Sequence, residues 1–353
     1  MYTGEPLKEI DIYKNPELLK RYCRNVICYG KNGILVLQNK KGIFKRTIKE
    51  VDIVIPCVHG YNMEDGNIQG LLEVYNVPYT SSDIYGCTVG QDKVFQKQIL
   101  EKEGIPITKY TWFYDNEFYS NQEEILKKIN ELKYPVIVKP ARQGSSIGIK
   151  IAKNEDEVKT AIADAITYDD KILVEEVINN MVELNCSVLG SSSYQDASLI
   201  EQVMGNDEIL SFNDKYISGG KKGTKKMSSS KGMASANRII PAEIDDKITE
   251  KIKETSKKAF KVLGASGVVR IDYLFDSKSK KFYLNELNSI PGSLSFYLWS
   301  PLNKEYDELL DDMINIGIKR YKNKLKKITK FDSNILEGFN GSKGVKGLKG
   351  KLR

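Results

Sequence analysis

Histidine is almost missing from this chain: His59 is the single one in 353 residues. A histidine-rich metal centre is thereby excluded. The five cysteines, at 23, 28, 57, 87 and 186, are odd in number, and none forms a Cys-x-x-Cys pair. Neither a disulfide framework nor a zinc site is indicated. No apolar run approaches the roughly 20 residues that cross a bilayer, and Met1 is not followed by a signal-peptide pattern. Cytoplasm is the expected location. The spacing Gly-x-x-x-x-Gly-Lys-[Ser/Thr] of a Walker loop does not occur around the glycine-rich stretch at residues 144–148.

What is present is ordinary in bulk and uneven in placement. Hydrophobic residues make up 41% and charged ones 29%, as in a folded globular protein, and a chain of this length divides into two or three lobes. Within the net charge of +7, residues 319–353 hold twelve Lys or Arg against Asp332 and Glu337, so the rest of the chain is slightly acidic. The glycine- and lysine-rich end, residues 326–353, reads as a solvated basic tail without an identified partner.

Two segments carry chemistry. The first pairs Arg270-Ile-Asp272 with Asn285-Glu286-Leu-Asn288 across a polar turn at residues 276–281. Side chains alternate faces along a strand, so Arg270 and Asp272 share one face, as do Glu286 and Asn288. A hairpin register setting Asp272 opposite Glu286 and Arg270 opposite Asn288 gathers one cation, two carboxylates and an amide. A slip of one residue would scatter them. Asp, Glu and Asn supply the oxygen donors that Mg²⁺ prefers when it also holds phosphates. Alone, the same hairpin reads equally as a solvated strand face with a surface ion pair.

The second segment tips that balance. An apolar run, residues 136–138, ends in Lys139-Pro140 and opens into Gly144, Ser145, Ser146 and Gly148. Small residues let backbone N–H groups approach phosphate oxygens, and a strand-borne lysine adds charge. A Gly/Ser loop by itself is usually an ordinary turn. Together with the carboxylate hairpin it points to Mg-ATP chemistry.

Elsewhere, residues 51–56 read as a buried parallel strand whose end carries His59, where open α/β sheets bind ligands; a structural role for a lone histidine is the alternative. Helices are expected over residues 69–75, 92–103 and 123–132, and a strand over 172–174 leading to Glu175-Glu176. Residues 182–190 alternate, with Val182, Leu184, Cys186 and Val188 on one side and Glu183, Asn185 and Ser187 on the other. The long polar stretch around Lys215-Tyr216, residues 211–236, reads as a functional lid or a linker. Ile244, Ile248, Ile252, Ala259, Phe260 and Leu263 mark a helical core stripe stopped by Gly264.

Val58-His59-Gly60 with Glu64-Asp65-Gly66, Asp92-Lys93, residues 139–148, Asp214-Lys215-Tyr216, Arg270-Ile-Asp272 and Asn285 to Gly292 stand in the order of one family. From about residue 1 to 325 the chain resembles the D-alanine–D-alanine (D-Ala–D-X) ligases of the ATP-grasp superfamily. The resemblance implies an α/β (α+β) ATP-grasp fold of three lobes: 1–89, an incomplete N-terminal lobe; 90–177, the central lobe; and 178–325, the C-terminal lobe with lid 211–236 and metal hairpin 267–292. It implies that Lys93, Lys139, Ser146 and Lys215 contact ATP phosphates, that Glu175 and Glu176 receive adenine, and that Glu183 reaches the ribose. Asp272, Glu286 and Asn288 would hold two Mg²⁺, a role open to Mn²⁺. Arg270 and the Gly292 N–H would stabilise an oxyanion, Ser145 and Tyr216 would orient the donor and close the lid, and His59 and Ser295 would bind substrate. The implied reaction joins D-alanine to D-alanine or D-serine through an acyl phosphate, for peptidoglycan precursors, in a homodimeric enzyme. Two departures stand out: the chain starts about sixty residues into the typical family length, without the glutamate that clamps the donor amine, and the run after Pro291-Gly292 is Ser293-Leu-Ser295. A nucleotide-binding protein without ligase activity, or another ATP-grasp carboxylate–amine ligase, are the alternative readings.

Overall fold

The computed structural model describes residues 1–2, 15–42, 44–204 and 238–328. Lys215, Tyr216, the whole stretch 211–236 expected as a lid and most of the basic tail lie outside the described residues.

The first part of the chain holds α1 (Pro16–Tyr22), then β1 (Val26–Lys31), β2 (Ile34–Asn39) and β3 (Thr47–Val51), paired antiparallel in the order β1-β2-β3. The β1–β2 turn is Asn32-Gly33, both with positive φ (51° and 83°). Asn-Gly is the dipeptide that this twisted two-residue connection favours. The buried parallel strand expected at residues 51–56 does not form. Only Val54 makes a parallel bridge, to Tyr79; Asp52 and Ile55 are exposed and Pro56 has no N–H to contribute. Helices α2 (Asn67–Tyr75) and α3 (Ile84–Gln91) follow.

The middle part begins with α4 (Lys93–Lys102), N-capped by Asp92, whose Oδ1 accepts from the N–H groups of Val94 and Phe95. Strand β4 (Tyr110–Tyr114), helices α5 (Asp115–Ser120) and α6 (Gln122–Glu131), β5 (Val136–Pro140), β6 (Lys150–Ala152), α7 (Glu155–Ile166) and β7 (Lys171–Glu176) complete it. Its antiparallel sheet runs β4-β7-β5-β6. Ile125, Ile129, Val158 and Ile162 of α6 and α7 pack on Val136, Val138 and Val174 of that sheet.

The last part has β8 (Met181–Ser191), β9 (Tyr194–Val203), β10 (Arg238–Ile239), α8 (Asp246–Val262), β11 (Gly267–Asp276), β12 (Lys281–Asn288) and α9 (Tyr306–Leu325), with sheet order β10-β9-β8-β11-β12. The stripe on α8 packs Ile252, Ala259 and Phe260 against Leu184, Cys186, Val188, Val269 and Ile271. Alternation then sends Glu183, Asn185, Arg270 and Asp272 to the opposite face. That face looks toward the middle sheet, and the site lies there.

Candidate active site

A cavity of about 1100 Å³ opens between the two larger sheets and the α2–α3 region. Its wall includes Lys93, Ser145, Glu183, Arg270, Glu286, Asn288, Gly292 and His59, brought from five separated stretches of sequence.

The hairpin adopts the register in which Arg270 faces Asn288 and Asp272 faces Glu286, with a bulge just after Asp272. Arg270 grips Asp272 in a fork, Nε to Oδ1 at 2.6 Å and Nη2 to Oδ2 at 2.8 Å, and Asn288 Nδ2 donates to Oδ2 at 2.9 Å. Burial opposes the guanidinium charge, but the paired Asp272 overcomes it and holds Arg270 above its ordinary range. Asp272 therefore sits behind Arg270 and Asn288 rather than on the cavity wall. Glu286 does reach the wall, its side chain 25% exposed, and Lys93 Nζ lies 3.2 Å from its Oε2. Glu286 and Asn288 bring to the wall the kind of oxygen donor that suits a hard divalent cation, with Asp272 directly behind them, and the ammonium of Lys93 beside Glu286 marks the negative spot.

Lys93 is aimed by its helix. Asp92, the cap, also pairs through Oδ2 with the buried Lys171 at 2.9 Å, and Lys171 Nζ lies 3.7 Å from the centre of the Phe95 ring. From that fixed start Lys93 Nζ donates to Gln143 O at 2.7 Å, at the entry of the glycine-serine loop. In the loop, Ser145, Ser146 and Gly148 all have φ between 55° and 70°. This left-handed path turns the backbone tightly around the cavity edge. Ser145 lines the cavity; Ser146 does not.

Several expected residues take other places. Lys139 Nζ is bound to Glu175 Oε2 at 2.6 Å and to Asn285 Oδ1 at 3.1 Å, off the cavity wall. Glu175 is engaged on its other oxygen by Lys97 at 2.5 Å and by the Thr108 hydroxyl. Its burial is more than offset by Lys139 and Lys97, which hold the carboxyl well below the usual range. Glu176 accepts from the Lys109 N–H at 2.8 Å. The carboxylates expected to receive adenine are thus committed to protein groups. Ser295, expected to bind substrate, has no accessible surface, and its Oγ has no hydrogen-bond partner. Ser293, Leu294 and Ser295 all have φ near 52°, a left-handed run costing roughly 1–2 kcal/mol per residue, which turns Leu294 and Ser295 inward. His59 Nδ1–H donates to Ile290 O at 2.9 Å, tying its loop to the Pro291-Gly292 turn.

Sequence reasoning passed over Lys97, one helical turn beyond Lys93, and the row Asn185–Glu201 on β8 and β9, although the strand alternation already set Asn185 beside Glu183. Glu64 entered the sequence reading only as the carboxylate that could take over the missing clamp on the donor amine. This carboxylate lines the cavity and accepts from the Gly60 N–H at 2.6 Å. Burial pushes its carboxyl up, nearby Glu286 adds to this, and the Gly60 bond and His59 offset it in part. An acid with a raised folded-state value destabilises the fold once pH exceeds the unfolded value, about 4.3. Glu64→Gln is therefore expected to be at least as stable as the wild type at pH 7, with the advantage fading toward pH 4. Urea denaturation at both pH values checks this; a variant equally weakened at both would contradict it.

Two family models match this chain: "D-ala D-ala ligase N-terminus" over residues 13–82 and "D-ala D-ala ligase C-terminus" over residues 99–315. The D-alanine–D-alanine ligase of Thermosipho melanesiensis is 36% identical over 339 residues, covering 95% of this chain and 86% of that protein. The enzyme of the same name from Acetivibrio thermocellus is 37% identical over 283 residues, 79% of this chain and 71% of that one. Among solved structures, the VanG D-Ala:D-Ser ligase from Enterococcus faecalis superposes with a TM-score of 0.69 at 27% identity, over 89% of this chain and 85% of that chain. The D-alanine–D-alanine ligase from Coxiella burnetii shares the fold, with a TM-score of 0.70 at 23% identity over 90% and 78% of the two chains. The architecture is that of the ATP-grasp enzymes. With 36% identity across nearly the whole chain, this protein belongs to the D-alanine–D-alanine ligase family.

Proposed function

We propose that this chain joins two D-amino acids, D-alanine with D-alanine or D-serine, using ATP, and so supplies a dipeptide for peptidoglycan synthesis in the cytoplasm. The observation that carries this reading is the meeting, in one cavity, of a lysine on a capped helix, a glycine-serine loop and the Arg270–Asp272–Glu286–Asn288 hairpin.

Lys93 and Lys215 serve the phosphates and Glu183 reaches the ribose, while Lys139 and Ser146, which lie off the cavity wall, brace the strand and the loop beside the nucleotide. Glu175 and Glu176 act through the strand they brace rather than through free carboxylates. Asp272, Glu286 and Asn288 would hold Mg²⁺, or Mn²⁺, which supplies charge neutralisation at the transferring phosphate. The donor carboxylate, oriented by Ser145 and Tyr216, attacks the γ-phosphorus of ATP, the bond to ADP breaks, and an acyl phosphate results. The amine of the second amino acid attacks the acyl carbon. The C–O bond to phosphate breaks, its electron pair leaves with the phosphate, and an amine proton goes with it. Arg270 and the Gly292 N–H stabilise the oxyanion between these events, each worth about 3–4 kcal/mol. His59 keeps the Gly292 turn in place through Ile290, and Ser295 supports that turn from within. A homodimer is part of this reading; the exposed Leu71 and Val74 on α2 and Tyr85 on α3 offer an apolar face for it.

D-alanine-dependent phosphate release with dipeptide as the product tests the function; nucleotide turnover indifferent to D-alanine would reject it. The acceptor class is a separate expectation. The Lys215-Tyr216 pair lies in a stretch without histidine, and the acceptor is expected to be an amine rather than a hydroxy acid. Chromatography of products from mixed D-alanine and D-lactate near neutral pH should show dipeptide in excess; an excess of depsipeptide would refute it.

A further inference from the structure

The polar row of the hairpin continues past β11. Asn185 on β8 stands opposite Asp272, and Glu201 on β9 stands opposite Asn185. Glu201, Asn185, Asp272 and Glu286 therefore form one line across four strands, and Glu201, Asn185 and Glu286 all line the cavity.

The outer half of this row is firmly built. Asn185 Nδ2 donates to Glu201 Oε1 at 2.7 Å, and the Tyr297 hydroxyl donates to the same oxygen at 3.2 Å. Arg238 Nη1 pairs with Glu201 Oε2 at 2.7 Å, its guanidinium 4.1 Å from the centre of the Tyr297 ring. With Nδ2 committed to Glu201, the orientation of the Asn185 amide is set. Its Oδ1 is left without a hydrogen-bond partner, on a side chain only 2% exposed. A buried acceptor without a donor keeps its full desolvation penalty. At a cavity wall, that cost is recovered when a ligand brings the donor.

The surroundings say which donor. A carbonyl oxygen flanked across the strands by the carboxylates of Glu201 and Asp272 repels an anion and suits an N–H. Both carboxylates are paired with arginines, Arg238 and Arg270, so the oxygen sits in a balanced polar wall suited to a zwitterion. We propose that Asn185 Oδ1 accepts a hydrogen bond from the amino group of the acceptor amino acid, and that Glu201, held by Arg238 and Tyr297, is the positioning residue that aims it. An uncharged acceptor orients the amine without competing for its reactive electron pair. This rests on the ligase reading above and adds the residue that reads the acceptor's amine.

The test is Asn185→Leu in the full chain, with phosphate release fitted to separate donor and acceptor Michaelis constants for D-alanine. The acceptor constant is expected to rise about tenfold or more, the loss of one hydrogen bond to a buried group, while the donor constant stays within about twofold. Glu201→Gln should move the acceptor constant in the same direction by a smaller factor. Asn185→Ala, which adds no bulk, carries the same expectations if the leucine variant does not fold, as its melting temperature will show. Donor and acceptor constants rising together, or neither moving, would overturn the proposal. Wild-type dipeptide formation tests the ligase reading by itself: without it both fall, whereas an active wild type with unchanged acceptor constants in the variants sinks this proposal alone.

Discussion

Replacing Glu286 by glutamine is expected to lower D-alanine-dependent phosphate release by about 10²- to 10³-fold, the scale of losing one preorganised electrostatic partner at a developing charge. Glu286 stands between two other oxygen donors on the hairpin face and within 3.2 Å of Lys93 Nζ. The amide keeps the shape and removes the charge, so Lys93 loses its counter-charge, as would the divalent cation proposed to bind there. Because the side chain reaches the cavity and is not enclosed, the melting temperature should change little. The measurement is turnover against Mg²⁺ concentration for both proteins. Full turnover by the variant at limiting Mg²⁺ would show that the hairpin does not hold the metal.

The largest effect on stability is expected from Glu175→Gln. Glu175 is the shared carboxylate of two buried lysines: Lys97, 1% exposed, and Lys139, 5% exposed, lie 2.5 and 2.6 Å from its two oxygens. Burial lowers the proton affinity of Lys97, and Glu175 is what opposes this. Removing the carboxylate leaves two ammonium groups enclosed without it, a loss of about 3–5 kcal/mol. The pH dependence follows from the direction of the Glu175 shift. Its folded-state value lies below the unfolded one, so its stabilisation is complete above about pH 4.3 and fades as pH falls toward the folded value. Urea denaturation should show a constant gap between wild type and variant from pH 6 to 8 and a narrowing gap in acid. Adding Lys97→Met to the glutamine variant should recover part of the loss, since one unpaired charge is then gone. A variant as stable as the wild type at pH 7 would mean that water, not Glu175, solvates these lysines.

The sequence alone determined what local periodicity determines. Two-residue alternation put Arg270 with Asp272 and Glu286 with Asn288, and the register that joins them in the structure is the one that keeps their apolar neighbours in the core. The same alternation placed Leu184, Cys186 and Val188 inside, and the helical stripe ending at Gly264 packs where its spacing put it. The Asn32-Gly33 hairpin went unread, although this dipeptide favours the two-residue turn that the structure shows there. The strand expected at residues 51–56 was misread, because an apolar run does not say whether a neighbour exists to pair with it. Only the tertiary structure decided the contacts that join distant segments. Lys97, Lys139 and Glu175 meet because α4, β5 and β7 pack together, and that packing turned two expected nucleotide ligands into an internal ion cluster. Ser295 went inward because three successive left-handed residues reverse the chain there. Asn185 acquired its role as a wall residue only when β9 supplied Glu201 to fix its amide. A strand's own sequence sets which face a side chain takes; which partner waits on that face depends on pairings far along the chain, whose cost in loop entropy only the assembled core repays.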